Sequence, residues 1–198
     1  MKKYILLFVF LFLAGKTFSQ LSIPNFKSNI TGEADAPFLK YIKNYDLVLA
    51  YRIYSNWSWE TEYHILVFQG KHWKKLIYKK PNYNDPALLQ IQPITEKPAD
   101  DFLCDLLYNK LIGNNLFTIE DDGKIPPCNE STTIVNGEKI TNQYSMSDGP
   151  EYSIWMITPE KSRHLYYYAP EYFDAHCAPN ETNRAFAISI ISILKREW

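Results

Sequence analysis

Short stretches rich in aromatic and β-branched residues recur along the chain, and turn-forming residues separate them. Stretches of this kind are typical of β-strands. Gly70-Lys71 and Asn136-Gly137 each lie between two such stretches, where a two-residue hairpin turn needs glycine's tolerance of positive φ. The pattern predicts strands at residues 46–54, 60–69, 73–79, 151–158 and 163–168, and a hairpin within residues 131–146.

Two further segments carry helical periodicity. Residues 98–112 place apolar side chains on one helical side and acidic ones on the other, and the acidic first turn complements the helix dipole. The apolar side consists of Phe102, Leu103, Leu106, Leu107 and Ile112. Residues 36–45 predict a shorter helix, with Asp35 as its N-cap and Pro37 in its first turn.

The C-terminal segment, residues 182–198, allows two interpretations. Its four isoleucines, Ile188, Ile190, Ile191 and Ile193, favour a strand by propensity. Small or polar residues nevertheless recur on one helical stripe, and Lys195 and Arg196 suit a helix C-terminus. We therefore predict a mostly buried helix.

These elements together predict a single α+β domain over residues 33–198. We expect an antiparallel, meander-like sheet of six or seven strands, with two long helices and one short helix packed on it. The composition, 46% hydrophobic with seven glycines, suits one core without a long internal linker. Residues 20–32 are expected to form a flexible lead-in.

Two tyrosine-rich strand pairs resemble each other. A shift of 89 residues aligns residues 62–86 with residues 151–175, and eight of the 25 positions are identical. An internal duplication into two related halves would explain this likeness. The shared composition of two aromatic hairpins would explain it as well, and the strand order of the two halves distinguishes the two explanations.

The N-terminus has the three-part layout of a secretion signal. Two lysines precede an apolar run over residues 4–14, and small residues at Thr17 and Ser19 fit a signal peptidase. The run is about half the ~20 residues that a membrane span needs. We expect cleavage between Ser19 and Gln20, export to a periplasm or the medium, and no membrane span afterwards.

Export changes how the charges and cysteines are interpreted. Losing three lysines with the signal would leave 18 basic against 22 acidic residues, a net charge of about −4. A mildly acidic domain without a basic run does not suit nucleic-acid binding.

Cys128 and Cys177 both lie in turn-rich segments, so we predict that they form a disulfide. Cys104 lies in a helical pattern, and we predict that it stays a buried thiol.

No familiar catalytic, metal or cofactor motif occurs in the sequence, and we expect no cofactor. Glu60, Glu62 and His64 alternate on one strand face, which suits a metal site or, more simply, a partly solvated sheet face. Asp174, His176 and Cys177 offer an acid, a base and a thiol, but catalytic Cys and His normally meet through the fold rather than as neighbours.

Exposed aromatic residues are the strongest functional lead. Strand alternation places His164, Tyr166 and Tyr168 on one face, opposite Leu165 and Tyr167, and Trp57 and Trp59 lie in a loop-like stretch. Aromatic residues are enriched at binding interfaces. The same rings could instead cap the sheet beneath a covering element.

The expected function is that of an exported, non-catalytic binding protein that recognises a protein or glycan through these aromatic residues. The alternative is an envelope hydrolase whose site is assembled across the fold. A deep pocket that gathers two or more of the histidines would favour the hydrolase, and a shallow aromatic face would favour binding. The histidines are His64, His72, His164 and His176.

Overall fold

The computed structural model describes residues 21–29, 36–55, 58–82, 94–124, 130–143, 145–176 and 182–198. These residues form an α+β domain with a six-stranded antiparallel sheet, a two-stranded sheet and three α-helices, which confirms the predicted fold class. The strands are β1 (Leu47–Tyr54), β2 (Glu60–Gln69), β3 (His72–Pro81), β4 (Ile94–Lys97), β5 (Glu130–Val135), β6 (Glu138–Gln143), β7 (Glu151–Ile157) and β8 (Ser162–Tyr168). The helices are α1 (Asp101–Gly113), α2 (Pro170–His176) and α3 (Thr182–Glu197).

The large sheet has the strand order β4-β3-β2-β1-β7-β8. Its first four strands form a meander, and β7 then pairs with the other side of β1. The hairpin predicted around Asn136-Gly137 is β5-β6, but it forms its own sheet and makes no backbone hydrogen bond to the other described elements. The sequence analysis missed β4, because its four residues show no apolar alternation.

Two of the predicted helices, those at residues 98–112 and 182–198, are present as α1 and α3. The predicted helix at residues 36–45 was wrong, since only a 3₁₀ turn forms at Leu39–Tyr41. Phe38 and Ile42 are instead buried against the sheet, and Asn44 takes a left-handed φ of 56°. The short helix of the fold is α2, between the last predicted strand and the C-terminal helix. None of the described helices is long and apolar enough to span a membrane.

Each face of the large sheet carries its own core layer. On one face, which we call the helical face, α1 and α3 cover odd-numbered residues of β1 such as Leu49 and Tyr51. On the opposite face, Phe38 and Ile42 cover a layer that includes Ala50, Tyr63 and Trp155. The sheet is therefore a middle layer, and side chains on both of its faces are available to build sites.

Helix α1 packs through a different side from the predicted one. Its buried residues are Cys104, Leu107, Tyr108 and Leu111. Phe102, Leu103 and Leu106, which we expected in the core, are exposed. β3 sets this orientation, because Asp101 accepts a hydrogen bond from the backbone N–H of Trp73 and Asp105 accepts one from Trp73 Nε1, both at 2.7 Å.

The lead-in is packed over residues 21–29. Phe26 is buried in the core layer of the helical face. The Asn29 side chain pairs with both backbone groups of His164, accepting from its N–H and donating to its carbonyl oxygen, each at 2.7 Å. Within the described part of the expected lead-in, Ser28 and Asn29 thus bind the outer edge of β8.

The two similar strand pairs have the same register. Tyr63 lies opposite Tyr78 in the β2-β3 hairpin, and their counterparts Tyr152 and Tyr167 lie opposite each other in β7-β8. The strand orders around the two hairpins differ, however. β1 pairs with β2, whereas the strand that precedes β7 in the chain belongs to the separate β5-β6 sheet. The likeness is therefore confined to the hairpins.

Candidate functional site

The aromatic residues of interest meet at one end of the large sheet, where β1 and β8 end and β2 and β7 begin. Cross-strand pairing joins Tyr166, Ser153 and Arg52 into one row that continues to Tyr63. The next row toward the sheet's end contains Tyr168, Glu151 and Tyr54. Directly paired residues share a face of the sheet, so both rows project from the face opposite the helices.

Arg52 is the centre of this arrangement. Its Nε donates to Ser153 Oγ at 3.3 Å and its Nη1 to Tyr63 Oη at 3.4 Å. Its Cζ also lies 5.5 to 5.8 Å from the ring centroids of Tyr54, Tyr63 and Trp155, within the range of cation–π attraction. We call these five residues the Arg52 cluster.

The charge of Arg52 has no carboxylate partner among the described residues, because its contacts are the hydroxyl groups and rings just given. The half-buried guanidinium still has N–H groups that these two hydrogen bonds do not occupy. An arginine with such capacity, held flat among aromatic rings, suits recognition of a planar or anionic polar group.

Tyr166 and Tyr168 border the Arg52 cluster and are half-buried rather than fully exposed. Tyr168 Oη accepts from Gly149 N–H at 2.9 Å and donates to the Met146 carbonyl oxygen at 3.0 Å. Tyr168 therefore anchors the segment before β7. Partial burial, and then the negative charges of Glu151 and Asp122, raise the pKa of Tyr166, which keeps it a neutral hydrogen-bonding phenol at physiological pH.

His164 is half-buried, like Tyr166 and Tyr168. Its ring stacks on Trp155 with a centroid distance of 4.7 Å, and Asn29 binds its backbone. The element that covers this face of the sheet is the segment around Phe38, which meets Trp155 edge-on at 5.8 Å, rather than a helix. His164 thus lies beside the Arg52 cluster on the same face of the sheet, since its ring contacts Trp155, which belongs to the cluster.

The two tryptophans predicted for binding precede β2. Trp59 is 76% exposed and lies at the same end of the sheet as the Arg52 cluster. Its carbonyl oxygen accepts from Asn82 N–H at 3.0 Å, which fixes the backbone there. Trp57 lies outside the described residues.

Glu60, Glu62 and His64 share one sheet face, as strand alternation predicts. Lys79 lies between the two carboxylates, with its Nζ 2.5 Å from Glu60 and 3.0 Å from Glu62. His64 Nε2 is 3.0 Å from Glu62. An ammonium group therefore occupies the place that a cation would need, and no group of three metal-binding side chains is found in the described part of the chain.

The four histidines lie apart. His64 is on the helical face, His164 on the opposite face, and His72 is at the β2-β3 turn, paired with Asp101 at 2.8 Å. His176 ends α2, and its Nδ1 lies 2.8 Å from the Tyr172 carbonyl oxygen. Cys128 and Cys177 lie outside the described residues, and Cys104 is buried in the core as expected.

Sequence reasoning missed Arg52, although a signal was present. A charged residue interrupts the otherwise apolar strand that runs from Leu47 to Tyr54, and a buried or half-buried charge needs a specific reason.

Comparison with models of known protein families finds no match, and comparison with curated proteins finds no significant similarity.

Proposed function

We propose that the protein is an exported, non-catalytic binding protein that recognises a protein or glycan through the aromatic end of its sheet. The observation that carries this proposal is the Arg52 cluster, a cation held among aromatic rings without a carboxylate partner in the described chain. Arg, Tyr and Trp are the residue types that contribute most to binding energy at interfaces.

The neighbouring residues support the same function. Trp59 adds an exposed indole at this end of the sheet, and Tyr166 adds a neutral phenol beside Arg52. A rigid backbone beneath them lowers the entropic cost of binding. A hydrolase would need a pocket that unites acid and base groups, and the separate positions of the histidines favour binding over that alternative.

Retrieval of a partner from envelope extract tests the proposal. We expect the wild-type protein to retain a partner and both Trp59→Ala and Tyr166→Ala to weaken retention about tenfold or more, as for residues that dominate an interface. Ile134→Ala is the matched control, because Ile134 is 76% exposed like Trp59 but lies in the separate β5-β6 hairpin. Equal retention by the wild type and both variants would contradict the proposal.

Treatment of the extract identifies the class of partner. Protease digestion should abolish retention of a protein partner, and periodate oxidation should abolish retention of a glycan. Arg52→Lys keeps the positive charge but loses the planar guanidinium and its several hydrogen-bond donors, so it should weaken binding of either class of partner.

A further inference from the structure

The outer side of α1 is unusually apolar. Phe102, Leu103 and Leu106 are 75%, 59% and 43% exposed, and their spacing places them on adjoining positions of one helical side. The residues that pack into the core, such as Leu107 and Leu111, lie on the other side of the helix. We call Phe102, Leu103 and Leu106 the α1 patch. Contiguous exposed apolar side chains rimmed by polar groups are typical of interaction surfaces.

Three carboxylates border the α1 patch and have no lysine or arginine partner in the described chain. Asp100 caps the helix by accepting from Leu103 N–H at 2.9 Å. Asp101 and Asp105 are fixed by their bonds to Trp73. The only ion pair among the three is that of Asp101 with His72. The one basic residue of the helix, Lys110, is already paired with Glu197 at 3.0 Å.

One of these carboxylates, Asp101, is stabilised in its charged form. The backbone N–H of Trp73 and then the His72 side chain lower the pKa of Asp101. A ligand for this surface must therefore combine apolar side chains with positive charge. Anionic lipid headgroups would be repelled, and a second copy of the same acidic patch would be repelled as well.

We propose that the α1 patch is a second interaction surface, which binds a basic amphipathic segment of a partner protein. The apolar side chains of that segment would cover Phe102, Leu103 and Leu106, and its lysine or arginine side chains would reach the bordering carboxylates. This surface is separate from the Arg52 cluster, which lies on the sheet face opposite the helices, so the inference does not depend on the proposed function.

A tryptophan-free amphipathic peptide of leucine and lysine in a helical repeat is a suitable probe, with a leucine–glutamate peptide as its counterpart. We expect the wild-type protein to bind the lysine peptide in titration calorimetry and not the glutamate peptide. Phe102→Ser with Leu106→Ser should weaken this binding about tenfold or more, since each removes large apolar contacts. Both residues are exposed, so circular dichroism should show an unchanged fold.

Two further variants extend the test. One separates the effect of charge from that of apolar contact, and the other separates the α1 patch from the surface that contains Trp59. Asp105→Asn can still accept from Trp73 Nε1 but lacks the charge, so it should weaken binding and reduce its dependence on salt. Trp59→Ala should bind the lysine peptide like the wild type. Equal binding by the Phe102/Leu106 variant and the wild type would overturn the proposal. So would binding to anionic vesicles in place of the peptide, or self-association that the double substitution abolishes.

Discussion

His64 lies in surroundings that disfavour its protonated form. Its ring stacks on Tyr51 at 4.9 Å and meets Trp198 edge-on at 5.1 Å. Its Nε2 faces Glu62, whereas its Nδ1 is buried and has no hydrogen-bond partner among the described residues. Burial lowers the pKa of His64, Glu62 opposes this effect, and Lys79 reinforces it.

The direction of this shift predicts a loss of stability in acid. Because the folded-state pKa lies below the unfolded value of about 6.5, the unfolded chain binds the proton more readily. The contribution of His64 is therefore complete above about pH 6.5 and is lost as the pH falls through the folded-state pKa. In urea unfolding at a series of pH values, His64→Phe should show a smaller acid-induced decrease in the free energy of unfolding than the wild type.

Phenylalanine keeps a ring beside Tyr51 and Trp198, so the comparison isolates the titration of His64 rather than its packing. His176→Phe is the matched control, because His176 is exposed. This control shows whether the loss of any one histidine changes the profile. An unchanged profile in His64→Phe would show that other groups cause the acid sensitivity.

Single residues were harder to predict than their strand faces. Alternation correctly placed Glu62 beside His64 and Tyr166 beside Tyr168, because the side-chain period of a strand is local. It could not show that Lys79 would lie between two glutamates, or that Asn29 would cover the edge at His164. These contacts join residues far apart in the chain.

At the scale of elements, the existence of α1 was predictable but its orientation was not. Apolar side chains occur almost all around this helix, so its periodicity alone does not define one buried side. The bonds of Asp101 and Asp105 to Trp73 select which side faces the sheet. The prediction of a helix at residues 36–45 was wrong for a related reason. Burial of Phe38 against the sheet outweighs a weak helical pattern.

The two glycine-containing hairpin turns offer a test of how elements are coupled. Gly70 has a φ of 54° and Gly137 has a φ of 85°. At both positions an added Cβ would meet no neighbouring atom within 4 Å, so the cost of a side chain there is conformational rather than steric crowding by other residues. Alanine at either position costs roughly 1–2 kcal/mol of local backbone strain. Gly70 joins β2 to β3 within the large sheet, whereas Gly137 belongs to the separate β5-β6 hairpin.

We therefore expect Gly70→Ala to lower the free energy of unfolding by about 1 kcal/mol or more, and Gly137→Ala to change it by less than about 0.5 kcal/mol. Urea unfolding followed by circular dichroism measures both values. An equal loss in the two variants would mean that the β5-β6 hairpin unfolds together with the large sheet.

At the scale of the whole molecule, the local pattern of apolar and aromatic residues predicted most of the strands but not their order in the sheet. The position of β7 beside β1 depends on pairing across about 100 residues of sequence, and alternation carries no information about which strand is the neighbour. The segments that cover the sheet are equally non-local. Phe26 and Phe38 come from irregular chain, and their burial follows only from the finished sheet.

Export, proposed from the N-terminal pattern, makes a prediction about the state of the cysteines. The described residues before Cys128 contact the start of α3, which follows Cys177 in the chain. The Glu120 N–H donates to Asn183 Oδ1 at 3.4 Å, and Arg184 Nη2 lies 4.0 Å from Asp122 Oδ1. Both contacts join the described chain before residue 125 to the described chain after residue 181.

Thiol titration of the exported protein in denaturant, without reductant, should therefore detect one thiol, that of Cys104. In the folded protein this thiol should react slowly, because burial raises the pKa of Cys104 and shields the sulfur from reagents. Cys104→Ala should abolish the signal in denaturant. Reduction should lower the free energy of unfolding by about 4 kcal/mol, the chain-entropy value for a loop of roughly 50 residues. Three reactive thiols in the unreduced protein would contradict the bridge, since only an open Cys128–Cys177 pair supplies the other two.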